Sequence, residues 1–169
     1  MAEEIAAVVR ANIDHLRPWV PWATEDYNAE SAAEFIRKTL SDFAHDGRFS
    51  AAILVDKQFG GAIGYHRLDT ANRSASVGYW IDSRLEGRGI VSRCCSTLID
   101  YLFEVRHLNR IQINCNVNNT RSRAVPERLG FTLEGIQREV EYNNGKFGDW
   151  AIYALLRRDW EAGKSRNIK

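Results

Sequence analysis

The chain lacks most of what would mark it as a nucleic-acid, membrane, metal or disulfide protein. Lysine and arginine total 23 against 22 aspartates and glutamates, a formal net charge of +1. No bulk field favours nucleic acid, so any anion must be held by a local site. Cysteine is scarce: Cys94 and Cys95 are adjacent, Cys115 stands alone, and no second Cys/His pair lies at zinc-site distance. Neither a metal nor a disulfide framework is expected, and reduced cytoplasmic thiols are the simplest account. No run approaches the roughly 18–20 consecutive apolar residues that span a bilayer. The opening MAEEIAAVVRANIDHLRPW carries acids and no long apolar core, so it does not read as a signal peptide. Prolines number three, and no repeat or low-complexity linker interrupts the chain.

What is present is the composition of a folded protein, 44% hydrophobic and 27% charged. A length of 169 residues suits one domain spanning 1–169. Residues 3–17 read as a helix with Ile5, Val8, Val9, Asn12, Ile13 and Leu16 at helical spacing. Pro18 and Pro21 break it among Trp19 and Trp22. A second helix opens with a capping box, Ser31 and Glu34, with Phe35, Ile36, Leu40 and Phe43 as its apolar face and Gly47 at its end.

The period then changes. Stretches 49–56, 61–69 and 73–81 predict three antiparallel strands. A helix over 90–106, lined by Ile90, Cys94, Leu98, Tyr101, Leu102 and Val105, precedes a strand at 110–117 and a short helix at 120–129. Strands at 131–142 and 146–157 flank Asn143-Asn144-Gly145, a strong hairpin signal. The strand–helix–strand unit over 73–117 predicts one parallel pair inside a mostly antiparallel sheet.

The most informative segment is Ile81-Asp82-Ser83-Arg84-Leu85-Glu86-Gly87-Arg88-Gly89-Ile90. A strand ends, a glycine turn follows and a helix begins, so free N–H groups and the helix dipole suit a phosphate. A P-loop is excluded because no Gly-Lys-Ser/Thr follows, and Arg93 stands where a dinucleotide fingerprint needs a further glycine. A bare strand-to-helix turn is the alternative.

Arg84-x-x-Gly87-x-Gly89 resembles the R/Q-x-x-G-x-G/A signature of the GNAT superfamily of N-acetyltransferases. Asn119-Thr120-Arg121-Ser122 and Glu127-Arg128-Leu129-Gly130-Phe131 resemble that family's downstream segment. Gly78-Tyr79-Trp80-Ile81, Leu133-Glu134-Gly135 and Glu141-Tyr142-Asn143-Asn144-Gly145 are similar to the Rim-type ribosomal-protein acetyltransferases, as is Leu16-Arg17-Pro18-Trp19. The resemblance implies a GNAT fold of the α/β (α+β) class, a mixed, mostly antiparallel twisted sheet with helices on both faces. It departs at the start, where the family's opening strand is missing.

The resemblance further implies acetyl-CoA as cosubstrate, no metal, and transfer of the acetyl group to the α-amine of a protein or peptide N-terminus. Acetyl-CoA would be held by Tyr79, Trp80, Ile81, Arg84, Gly87, Arg88, Gly89, Ile90, Asn119 and Ser122. Arg93 is a further phosphate candidate, and the end of the strand at Val77–Ile81 would stabilise the oxyanion through a backbone N–H. Glu141 takes the role of base, against a solvated carboxylate beside the hairpin turn; Ser122 takes that of acid, against a simple helix-start residue. Cys115 would face the coenzyme thiol or be a small core residue, and Cys94 and Cys95 read as core. His15, His45, His66 and His107 form no nucleophile triad.

Trp19 and Trp22 would line the acceptor groove or close the core. Glu25, Asp26, Glu30 and Glu139 offer an acidic lip, which keeps a small-molecule amine acetyltransferase in view. A non-catalytic acyl-CoA-binding module is the third option. A homodimer through a sheet edge or the C-terminal hairpin is left open.

Overall fold

The computed structural model describes residues 1–45 and 47–166. Helices α1 (Ala2–Ala11), α2 (Ile13–Leu16) and α3 (Ala29–Ala44) precede strands β1 (Phe49–Val55), β2 (Gln58–Asp69) and β3 (Ser74–Ile81). A 3₁₀ turn, Ser83–Leu85, leads to α4 (Ile90–Glu104), β4 (Arg110–Asn116), α5 (Thr120–Arg128), β5 (Thr132–Asn143), β6 (Lys146–Leu156) and α6 (Arg157–Arg166). The six strands form one sheet in the order β1-β2-β3-β4-β6-β5. Among the described residues only β3 and β4 run parallel, as the crossover helix between them requires. The expected mixed sheet and its hairpin are present, the latter with Asn144 and Gly145 both at positive φ.

Two packed layers cover the sheet. On one face, α4 and α5 bury Ile99, Leu102, Phe103 and Val125 against Val77, Ile111, Ile113 and Tyr153. On the other, α1 to α3 bury Ile5, Val9, Leu16 and Ala32 with Phe59, and Trp80 packs against them. Strand alternation distributes these residues: Val77, Tyr79 and Ile81 face α4, whereas Trp80 faces α1. Among the described residues no helix is long and apolar enough to cross a membrane.

Several expected details are corrected. The helix over 3–17 is two helices, broken at Asn12. Asn12 is buried rather than part of an apolar stripe; its side chain accepts from Ser83 N at 2.9 Å and Ser83 Oγ at 2.8 Å. The α3 cap is Asn28, which takes the N–H groups of Glu30 and Ser31, so Ser31 lies inside the helix. The buried stripe of α3 is Ala32, Ile36 and Thr39, spaced for one face, and Leu40 is 64% exposed while Phe35 and Phe43 are largely solvent-facing. In α4 the expected Ile90, Leu98 and Leu102 are buried and Cys95, Ile99 and Phe103 join them, whereas Tyr101 and Val105 are exposed. α6, unforeseen because its sequence is almost wholly polar, docks through Trp160, whose Nε1 donates to Asp100 at 2.8 Å. Among the described residues no strand precedes α1.

Candidate active site

The site lies where β3 and β4 part. Their pairing is confined to Ser74–Ser76 against Arg110–Gln112, and beyond it the two strands share no ladder. The remaining β3 residues, Val77–Ile81, present backbone polar groups to this gap with no β4 partner.

At the end of β3 the chain enters the anion turn. Asp82, almost fully buried, caps the 3₁₀ turn through Arg84 N at 2.9 Å. Arg84 folds back onto the same carboxylate, Nε at 3.1 Å and Nη2 at 2.5 Å. This pairing holds Asp82 below the usual carboxylate range. One edge of the Arg84 guanidinium is therefore spent on shaping the turn. Gly87 and Gly89 both sit at φ +70, the left-handed region that favours glycine. Gly89 starts α4 without any side-chain cap. The first-turn N–H groups of this 15-residue helix are left for an external acceptor, which fits a pyrophosphate. Arg88 is exposed beside it, and Arg93 arches over the turn, with Nη1 donating to Arg88 O at 3.1 Å. Ile90 is buried and anchors the helix start.

Across the cleft, Asn119 caps α5 by accepting from Ser122 N at 3.0 Å. The Ser122 hydroxyl is thereby free of the capping duty and lies 3.3 Å from the Tyr79 hydroxyl, which donates to Ser122 O at 3.0 Å. Burial raises the Tyr79 hydroxyl well above its ordinary range. Cys115 is buried beside Ser122, its thiol pushed up to about 11 by burial. It is a protonated core residue at neutral pH, as is Cys95, raised to about 12 by burial; Cys94 is half-buried and packs against the same core. Glu86, which the motif reading passed over, joins His15 at 3.2 Å to Arg121 at 2.8 Å and so ties the turn to both α2 and α5. Its only sequence signal was its place between Arg84 and Gly87.

Glu141 stands on the opposite face. It pairs with Gly148, two residues from Trp150, whose Nε1 donates to Glu141 Oε2 at 3.2 Å. Asn116 on β4 pairs with Trp150 in the same register. The α1–α3 layer closes one end of this face: Trp22 lies 5.9 Å from Trp80, and Asn143 and Asn144 donate to Arg17 O. Of the expected acidic lip, Glu25 and Glu30 are ion-paired with Arg17 and Arg37. Glu139 lines a surface depression with Arg138 and Asp149. Among the described residues no three His, Cys, Asp or Glu side chains gather as metal ligands.

The glycine turn, the uncapped helix start and the parted strands define an acyl-CoA-using fold, and the comparisons agree. Residues 2–132 match the acetyltransferase (GNAT) domain, and the chain belongs to that family. It is 40% identical over 164 residues to YdaF of Bacillus subtilis, to which a ribosomal N-acetyltransferase role is attributed; the match covers 96% of this chain and 90% of that protein. The microcin C7 self-immunity acetyltransferase MccE, solved with acetyl-CoA and AMP, superposes with a TM-score of 0.88 at 28% identity, covering 92% and 86% of the two chains. RimL, the ribosomal L7/L12 alpha-N-protein acetyltransferase solved with coenzyme A, gives a TM-score of 0.88 at 25% identity, covering 94% and 89%. The protein is an acetyl-CoA-dependent N-acetyltransferase related to the ribosomal-protein acetyltransferases.

Proposed function

We propose that this enzyme acetylates the α-amine of a protein N-terminus, a ribosomal protein being the favoured class, with Glu141 as base and Ser122 as acid. One observation carries the reading. The Glu141 carboxylate is held by the Trp150 indole on one face of the sheet, and Ser122 lies against Tyr79 on the other, beside the gap between β3 and β4. An amine approaching from the Glu141 face meets a proton acceptor, while a thiol departing on the Ser122 face meets a proton donor.

Bound acetyl-CoA supplies the acetyl thioester; Gly87, Gly89, Arg88 and the start of α4 would hold its phosphates. Glu141 takes a proton from the acceptor ammonium, directly or through a water. Those N–H groups of Val77–Ile81 that point away from β2, where β4 gives them no partner, offer donors to the acetyl oxygen as negative charge gathers there. As the N–C bond forms and the C–S bond breaks, Ser122 gives its proton to the sulfur and is reprotonated by the second proton that the nitrogen sheds, while Tyr79, kept protonated by burial, stands beside it as a second donor. Trp22 and Trp80 wall one end of the acceptor face, which suits an extended peptide more than a strongly cationic amine.

We also read the chain as a single cytoplasmic domain that dimerises through β5, the outermost strand. That strand is exposed along most of its length and carries Leu133, Ile136 and Val140 on its surface. The test of the acceptor is a panel of N-terminal peptides, polyamines and aminoglycosides offered with acetyl-CoA, free thiol being the readout. Turnover of peptides and not of the small amines is expected. Turnover confined to small amines would displace the peptide reading, and thiol release with no amine in the panel would leave only a binding module.

A further inference from the structure

On the face that carries Glu141, one guanidinium has no carboxylate partner. β2 bulges where it passes β3: His66 pairs with Ser76 and Asp69 with Ser74, so Arg67 and Leu68 both stand opposite Ala75. Bulges re-aim the side chains they displace. Arg67 takes a left-handed φ of +52 there, and its Cζ lies over the Trp150 ring, 6.0 Å from the centroid. Ala151 and Tyr153 pack into the α4-side core, so the pleat turns Trp150 to the other face. There its indole N–H meets Glu141 Oε2 at 3.2 Å. One indole thus carries a carboxylate at its edge and a guanidinium over its ring.

Arg67 reaches this place unspent. It is exposed and, the indole apart, has no hydrogen bond or ion pair among the described residues. Lying over an aromatic face occupies the guanidinium plane and leaves its in-plane N–H donors for a planar anion. The other arginine near this face, Arg48, is already held by Asp42 at 3.0 Å. His66, the residue before Arg67, lies against Gly78 on the part of β3 that β4 leaves unpaired; a Cβ on Gly78 would meet His66 Cε1 at 3.4 Å. Burial, then Arg67 and Arg48, hold His66 below its ordinary range, so the Arg67 charge is felt beside the gap. The face is bipolar: a carboxylate for an ammonium and, across one indole, free donors for an anion.

We propose that Arg67 selects acceptors that carry a carboxylate close to the reacting amine, namely N-termini with Asp or Glu as second or third residue. An extended chain advances about 3.3–3.6 Å per residue. With the amine at Glu141, the second and third side chains are the ones that pass the indole to the guanidinium. A polyamine brings a further ammonium to the same guanidinium and is disfavoured. The inference rests on the reading that a peptide amine enters on the Glu141 face, and it adds which peptides.

The test uses the full chain and peptide amides of about six residues, with a neutral sequence, one Asp at the second, third or last residue, or one Lys at the second or third. Thiol release gives kcat/KM for each. The readout is the ratio of acidic to neutral peptide within one enzyme, which partial unfolding of a variant leaves unchanged. The wild type should favour Asp at the second or third residue by about two- to fivefold, the worth of an exposed charge pair, and Asp at the last residue not at all. Added salt should shrink the advantage. Arg67→Gln should bring the ratio to about one, and Arg67→Glu should turn the preference towards the Lys peptides. Equal turnover of acidic and neutral peptides by the wild type, or a preference that survives in Arg67→Gln, overturns the assignment. A preference as strong for the distal Asp overturns the local contact and leaves bulk attraction. Turnover of small amines with no turnover of any peptide defeats the peptide reading beneath it, and the inference falls with that reading.

Discussion

Replacing Glu141 by glutamine removes one ionisable group and little else. The carboxylate takes the Trp150 indole N–H at 3.2 Å, and a glutamine carbonyl oxygen can take the same bond. Packing on the β5–β6 hairpin survives, so stability should change by no more than about 0.5 kcal/mol. Turnover should fall by about 10²–10⁴-fold, the usual worth of a placed base. At 1.36 kcal/mol per decade this is about 2.7–5.5 kcal/mol of activation free energy. Steady-state thiol release with an N-terminal peptide measures it, with Tm recorded alongside. The pH dependence of the variant is the sharper reading. Without a base the amine must arrive neutral, and an α-amine titrates near about 7.7–8.0. The rate of the variant should climb about tenfold per pH unit and level off above about pH 8. A lysine ε-amine, near about 10.4, would keep climbing through that range. Near-wild-type turnover at pH 7 would refute the assignment. A fall in Tm of several degrees accompanying the lost activity would recast Glu141 as scaffold.

Three further outcomes follow from the same geometry. Ser122→Ala keeps the α5 cap, since Asn119 bonds the Ser122 backbone N–H; turnover should drop with acetyl-CoA affinity and Tm nearly unchanged, and a loss of Tm alone would make Ser122 structural. Gly89→Ala places a side chain at φ +70, which costs about 1–2 kcal/mol and should lower Tm by about 2–8 °C. The new Cβ also lies 3.1 Å from Arg93 Nη1, at the helix start read as the phosphate site, so calorimetry should find acetyl-CoA binding weakened well beyond that strain; unchanged affinity would make the turn mere scaffold. His66 is held below its ordinary 6.5 by burial, then by Arg67 and Arg48. The unfolded chain binds that proton more readily, so His66 opposes folding as pH falls below about 6.5. His66→Gln should lose less Tm than wild type between pH 7.5 and 5.5, and an identical drop in both would remove His66 from the account.

How far the sequence carried depends on what each signal rested on. Strand alternation, the Asn143-Asn144-Gly145 turn and the glycines at 87 and 89 are local backbone requirements, and the structure meets them at those positions. Helix faces were read less well, because the face a helix buries is set by its neighbours. α3 packs small residues closely against α1, and that contact outranks its larger apolar residues, Phe35, Leu40 and Phe43. Asn12 looked helical by spacing, yet Ser83, 71 residues away, takes its side chain and ends α1. The same holds at the site. Arg84 was legible as a motif residue but not as the partner of Asp82.

That gap is itself a consequence of topology. An antiparallel neighbour returning by a hairpin would have paired with β3 along its length and sealed both faces from each other. The crossover through α4 instead delivers β4 parallel to β3, and the pairing lasts three residues before the strands separate. The separation frees backbone donors on Val77–Ile81 in the middle of a sheet, where they would otherwise be spent. In the proposed mechanism it also lets a carboxylate act from one face and a hydroxyl from the other. Direct transfer between two substrates needs that arrangement, because the proton lost by the amine and the proton gained by the thiol are handled on opposite sides of one carbonyl carbon. A substitution that extended the β3–β4 ladder, by favouring β pairing at Gly78, should close the site while stabilising the fold. Gly78→Val is the direct trial: a higher Tm with lost turnover supports the argument, and a higher Tm with full turnover defeats it.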